Sequence, residues 1–294
     1  MEHFVQLSVF GIQLGIIYAL IAMGYTMVYG IIRLINFAHG DLVMIGAFTA
    51  YFVSRIPGTG FLSAIVAAMI VPAIISVVIE RLAYRPLRNR PRLSVLITAI
   101  GVSIFLENFP RMIPAIGPNY RPFPQLIPFS EFPLYGNAVV NTIQITNIVA
   151  SIILLILLTG IVKFTKMGRA MRAVSFNKDA ASLMGIDVNR IIALTFFIGA
   201  ALAGAGGVLY SLTYPMIDIL MGVWLGTKAF VAAVLGGIGS IPGAVLGGLL
   251  MGIVEVFATA LYSELGYGSG FIVLILVLLF RPEGLMGKPT IEKV

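Results

Sequence analysis

Long stretches with almost no charge follow one another along this chain, and their succession leaves few folds open. The runs LSVFGIQLGIIYALIAMGYTMVYGII (7–32) and FLSAIVAAMIVPAIISVVI (61–79) hold no Asp, Glu, Lys or Arg. About 20 apolar residues cross a hydrocarbon core of roughly 30 Å as a helix. The runs are continuous rather than alternating, so they suit helices and not a barrel. Composition agrees: 59% of the 294 residues are hydrophobic, 11% are charged and the mean hydropathy is +1.03, where soluble domains carry roughly 25% charge.

The expected fold is an all-α polytopic membrane protein, one transmembrane domain over residues 1–294. Membrane segments are predicted near 6–30, 37–54, 61–80, 93–110, 142–163, 190–211, 228–238, 243–262 and 268–281. The start, MEHFVQLSVF, lacks the positive region of a cleaved signal peptide, so the first run reads as retained structure. RLAYRPLRNRPR (81–92) holds five Arg, and the loop from Lys163 to Arg190 holds six Lys or Arg. Both belong on the cytoplasmic side, with the tail from Arg281. The link from Pro110 to Asn141 has only Arg111 and Arg121 as cations and belongs outside. Counting back puts the N-terminus outside, so the number of crossings is odd.

Parity makes the short run KAFVAAVLGG (228–237) a crossing element. Its length predicts a buried half-helix broken by GGIGSIPG (236–243), tolerated only where protein or a cavity shields the backbone. Two inverted halves are compatible with the charge count. The extracytoplasmic loop 111–141 is proline-rich, with seven prolines between 110 and 133. It reads as a stiff cap on helix ends or as a docking surface for an external partner. Small residues at 200–209, at Gly247xxxMet251 and at Gly248xxxGly252 offer close helix packing.

The net charge of +7 lies between the apolar runs, so it marks topology and partner contacts rather than nucleic-acid binding. With no cysteine, disulfides, thiolate metal sites and cysteine nucleophiles are excluded. No phosphate loop, HExxH or GxSxG occurs. GLMGKPT (284–290) lacks the first glycine of a phosphate loop and has Pro289 where magnesium needs Ser or Thr. No cofactor or metal is expected on this chain.

Ionisable groups in apolar runs are the default candidates for function. Glu107 and Arg111 are spaced to pair on one helix face. Glu255 has no partner at helical spacing, so it must face another helix, a cavity or water. Arg33, Asn36, His39 and Asp41 crowd an inner-face turn, where Asn36, His39 and Asp41 serve either as helix caps or in gating and partner contact. KDAASLMG (178–185) lies midway in the cytoplasmic loop 164–190, and Gly185 is placed to end a short helix. Ala180, Leu183 and Met184 at i, i+3, i+4 form an apolar face that suits a groove on another protein.

DAASLMG (179–185) resembles the acidic-Ala-Ala-x-x-x-Gly loop by which permeases of bacterial ATP-binding-cassette importers dock their ATPases, with Asp179 for the usual Glu. Further matches lie in GIIYALIAMGYTMVYGIIRLINFAHGDLVMIGAF (15–48), ERLAYRPLR (80–88), MGRAMRA (167–173) and KAFVAAVLGGIGSIPGAVLGG (228–248). Together they resemble the permease subunits of high-affinity branched-chain amino acid importers over nearly the whole chain. The resemblance implies a type II importer helix bundle in the bacterial cytoplasmic membrane, lipid around it, and leucine, isoleucine and valine as substrates. It implies a second, LivM-like permease subunit, two ATP-binding subunits that use ATP and Mg, and an extracytoplasmic substrate-binding protein. Relatives carrying urea or short amides keep those substrates open.

On this reading Asp179, Ala180, Ala181 and Gly185 couple the ATPases to the bundle. Tyr25, Asn36, Glu255, Gly236, Gly237 and Gly239 are the candidates for a weakly binding pathway. A self-contained channel would not explain DAASLMG. An ion-coupled carrier would need more intramembrane carboxylates than Glu255.

Overall fold

A computed structural model describes residues 1–33, 35–88 and 90–287; Lys288, Pro289 and the rest of the tail lie outside the described residues. The chain forms α1 (Glu2–Ile32), α2 (His39–Val53), α3 (Phe61–Ile79), α4 (Arg92–Asn108), α5 (Thr142–Phe164), α6 (Lys166–Phe176) and α7 (Lys178–Leu183). It continues with α8 (Val188–Thr213), α9 (Met221–Gly236), α10 (Ile241–Leu261) and α11 (Ser263–Phe280). Four short strands are added: β1 (Arg121–Pro122), β2 (Glu131–Tyr135), β3 (Ala138–Asn141) and β4 (Met216–Ile217).

Among the described residues, seven helices are long and apolar enough to cross a membrane: α1, α3 with its extension to Leu87, α4 with its extension to Met112, α5, α8, α10 and α11. The two shorter apolar helices, α2 and α9, have 15 and 16 residues, or roughly 24 Å at 1.5 Å per residue. Outer helices present apolar side chains such as Ile104, Ile156 and Leu279, as a lipid-facing surface requires. The centre belongs to α1 and α8, whose apolar windows are 56% and 78% buried against 17% for α11.

One end of the bundle, the hairpin end, holds the start of α1 and the strands. Asn137 donates to Glu2 at 3.0 Å, the Val139 amide donates to Gln6 at 2.9 Å, and β1 pairs antiparallel with β4. The link thus touches the start of α1 through Asn137 and Val139 and the segment after α8 through β1. The opposite, basic end carries the 81–92 link, α6 and α7. Helix α1 runs from the hairpin end to the basic end, and α8 runs the other way.

The two halves repeat this inversion throughout. A long helix (α1 or α8), a non-helical link (with 35–38 in the first half, 214–220 in the second), a short helix (α2 or α9) and two long helices follow in each. The packing is reciprocal, with α1 lying along α10 and α8 along α3. Inverted repeats of this kind produce discontinuous helices whose ends meet inside the bundle. His39 Nε2 lies 3.3 Å from the Ile21 carbonyl oxygen, about three turns back from the end of α1. A Cβ on Gly226 would stand 2.6 Å from Gly40 Cα, and one on Gly222 would stand 2.6 Å from the Gly40 oxygen. The starts of α2 and α9 can meet only because these residues lack side chains.

This corrects the reading of 228–238 as a half-helix broken by glycines. Helix α9 begins seven residues earlier, at Met221, and GGIGSIPG is the turn into α10. There Ser240 caps α10 by accepting from the Gly243 amide at 3.2 Å. The non-helical link that brings the start of α9 into the bundle lies before it, at 214–220, and its counterpart before α2 includes 35–38. The Glu107–Arg111 pair is also corrected, because the helix tightens into a 3-10 turn at Phe109–Met112. The two ion pairs among the described residues are Arg88–Glu80 and Lys228–Glu255.

Candidate coupling site and buried polar clusters

Helix α7 is short but closed at both ends. The Asn177 side chain accepts from the Asp179 and Ala180 amides, each at 3.0 Å. At the other end Gly185 takes φ +80°, its amide donates to Ser182 at 3.0 Å, and the Ile186 amide donates to Ala181 at 3.1 Å. This pair of reversed bonds is a Schellman motif, which favours glycine at its left-handed position. Asp179, Ala180, Leu183 and Met184 are exposed. Ala181 is buried at 4% exposure, so its small side chain packs inward, beneath the exposed Ala180, Leu183 and Met184.

The root of α7 is strongly cationic. Burial, with the Arg88 and Arg33 guanidiniums nearby, holds Lys178 below the ordinary lysine value. Arg33 itself ends α1 at φ 57°, its amide donating to Tyr29 at 2.7 Å. Arg88 donates to Glu80 at 2.5 Å and to Asn189, at the start of α8, at 2.9 Å. Glu80 opens a π-helical turn, Glu80–Tyr84, at the end of α3, and such turns often mark functional positions. At its far end Tyr84 donates to Asn36 at 2.7 Å. Polar contacts thus run from the α7–α8 junction, through the end of α3, to the link between α1 and α2.

Asn36, His39 and Asp41 are not caps, since Ala38 begins α2 with no side-chain cap bond. Each reaches another helix instead. Asp41 accepts from Ser103 of α4 at 2.5 Å, and His39 packs on Tyr25 with ring centroids 4.4 Å apart. Tyr25 and Asp41 line a cavity of about 310 Å³ with Glu107, Gly222 and Phe230. Arg33 is exposed at the basic end.

Glu255 finds partners on two other helices. It accepts from Tyr18 of α1 at 2.8 Å and pairs with Lys228 of α9 at 2.5 Å. It lines a cavity of about 240 Å³ at the hairpin end. Gly236 and Gly237 stand apart from these clusters: the Leu285 and Met286 amides donate to Leu235 and Gly236 at 2.8 and 3.0 Å. Gly239, at φ +98°, borders a third cavity beside Arg172 and Ser175. Sequence reasoning missed Tyr18, Glu80, Tyr84, Arg88, Asn177 and Lys228. Lys228 was legible as the one cation in its apolar run.

Residues 7–280 match the family described as the branched-chain amino acid transport system / permease component. The chain belongs to that permease family. The permease is 44% identical to the high-affinity branched-chain amino acid transport system permease protein BraD of Pseudomonas aeruginosa, covering 99% of this chain and 98% of that protein. It is 43% identical to LivH of Escherichia coli K12, with the same coverage. A probable branched-chain amino acid transport permease LivH of Methanocaldococcus jannaschii is 28% identical over 91% of this chain and 88% of its own. Composition, helices and family together make the permease a multi-pass membrane protein.

Proposed function

We propose that this permease forms one half of the translocation pathway of an ATP-driven importer for leucine, isoleucine and valine. What carries the reading is similarity at 43–44% identity, nearly end to end, to permeases of high-affinity branched-chain amino acid systems. Exposure of the DAASLMG helix supports it, because a capped helix with bare Leu183 and Met184 suits a groove on a neighbouring protein. The basic end then faces the cytoplasm of a bacterial inner membrane, and the hairpin end, with the N-terminus and loop 111–141, faces outward.

The partners on this reading are a second, LivM-like permease subunit, two ATP-binding subunits that carry ATP and Mg, and an extracytoplasmic binding protein. ATP binding and hydrolysis push on α7, and the contacts through Arg88, Glu80, Tyr84 and Asn36 pass that push to the α1–α2 link. Tyr25, Asn36 and Glu255 lie along the moving interior. An ion-coupled carrier would need a carboxylate free to take the ion, whereas Glu255 is already held by Lys228 and Tyr18.

The test is purification from the native membrane by a terminal tag, identification of the bound subunits, and reconstitution into liposomes with the binding protein outside. ATP-dependent accumulation of leucine is expected. Accumulation that ignores ATP and follows an ion gradient would overturn the reading.

A further inference from the structure

We propose that the cavity between the basic ends of α3 and α8 binds the phosphate group of an anionic phospholipid. The site stands apart from the importer reading and concerns the bilayer around the permease.

The cavity, about 420 Å³, is lined by Arg81, Arg85 and Arg190, with Asp187 as its one carboxylate. Arg81 comes from the π-helical turn that follows α3, Arg85 opens the 3-10 turn after it, and Arg190 lies in the first turn of α8. Among the described residues none of these three guanidiniums makes an ion pair, since the two pairs use Arg88 and Lys228. Asp187 is already engaged as the cap of α8, where it accepts from the Arg190 amide at 3.1 Å. The lining therefore holds an excess of two positive charges. A guanidinium presents paired N–H donors that match the oxygens of a phosphate, so a phosphate is the anion this lining fits.

What lies beneath the charges decides which phosphate. Val77 stands one turn before Arg81, and Leu194 and Phe197 stand four and seven residues after Arg190; all three line the same cavity. Because α3 ends and α8 begins at this end of the bundle, these side chains lie deeper along the helices than the guanidiniums, by roughly 6–10 Å at 1.5 Å per residue. Ile74, three residues further down α3, is 53% exposed, so the apolar wall continues onto the lipid-facing surface. Charge at the mouth and apolar wall below match a phospholipid, phosphate over acyl chain. A free phosphate ester would leave the wall unused, and an acidic protein surface would meet the guanidiniums but not the wall. Basic pockets between membrane helices on the cytoplasmic side bind anionic headgroups, and on the proposed orientation the basic end is that side.

The chain has no cysteine, so one introduced thiol carries one fluorophore. Val78, 47% exposed beside the cavity, is the position for it as Val78→Cys. The permease, purified with its native partner subunits, is placed in nanodiscs of phosphatidylcholine. Phosphatidylglycerol or phosphatidylcholine bearing a nitroxide on the acyl chain is then added as quencher. Phosphatidylglycerol is expected to reach half-quenching at a mole fraction at least about tenfold lower than phosphatidylcholine, and Arg81→Gln and Arg190→Gln should each reduce that preference about fivefold. If neither variant accumulates, the comparison of the two lipids on the arginine-intact protein decides. Equal quenching by the two lipids, as would follow if a partner subunit covers the cavity, would overturn the site. So would a preference that survives both substitutions together, or one abolished by excess sn-glycerol 3-phosphate, which would mark a site for free phosphate esters.

Discussion

The Tyr84 hydroxyl donates to the Asn36 side-chain oxygen at 2.7 Å, and both residues are buried. The bond ties the π-helical end of α3 to the link through which the chain turns back into the bundle. Tyr84→Phe keeps the ring against Phe196, 5.7 Å away between centroids, and removes the donor. An unpaired buried acceptor costs about 1–3 kcal/mol. The variant should melt earlier in detergent, with slower uptake; an unchanged melting curve would show that the bond contributes nothing.

Arg88 forks to Glu80 and Asn189 and so joins α3 to the start of α8. On the proposed coupling, Arg88→Gln should lower the leucine moved per ATP hydrolysed, because a push on α7 would no longer reach α3 through this fork. Arg88→Lys keeps the charge but not the fork, and should fall between wild type and Gln. Transport and hydrolysis that decline in parallel would reduce Arg88 to a structural role.

At Gly185 a Cβ would meet nothing within 4 Å, so the cost of Gly185→Ala is conformational. A left-handed non-glycine residue costs roughly 1–2 kcal/mol, enough to fray a six-residue helix. ATPase activity in the assembled complex should respond less to the loaded binding protein. Gly185→Asn should be milder, since Asn tolerates this conformation.

Helix α10 meets α1 backbone to backbone: a Cβ on Gly252 would strike Gly15 and stand 2.7 Å from the Gly11 oxygen. Gly252→Val should therefore force the pair apart and cost at least about 1–3 kcal/mol, read as loss of folded permease from the membrane. Gly160→Val is the control, because a Cβ there meets nothing within 4 Å. Equal yields of the two variants would refute close packing at Gly252.

Helices α3, α5 and α8 were legible because hydrophobic length alone decides them. Helix α7 was legible because Asp179 to Gly185 carries its own stop signal, a glycine at φ +80°. Pairing was not. Lys228 and Glu255 lie 27 residues apart on different helices, and no periodicity links them. Asp41 looked like a cap since local spacing favours one, yet its partner Ser103 comes from α4. The start of α9 was hidden because MGVWLGT, rich in glycine, carries no helix signal that a reader of short windows can weigh. Packing against α1, α2 and α10 decides it.

The two short helices also constrain how the protein is made. A helix that starts in the middle of the bundle, behind a non-helical link, leaves backbone groups that lipid cannot satisfy. Helix α2 hides that backbone against α3, α8 and α9. A nascent chain that has reached only α7 offers α2 neither α8 nor α9. Biogenesis must therefore hold the N-terminal half sheltered, by the insertion machinery or in an unfinished arrangement, until the C-terminal half has been synthesised to cover it.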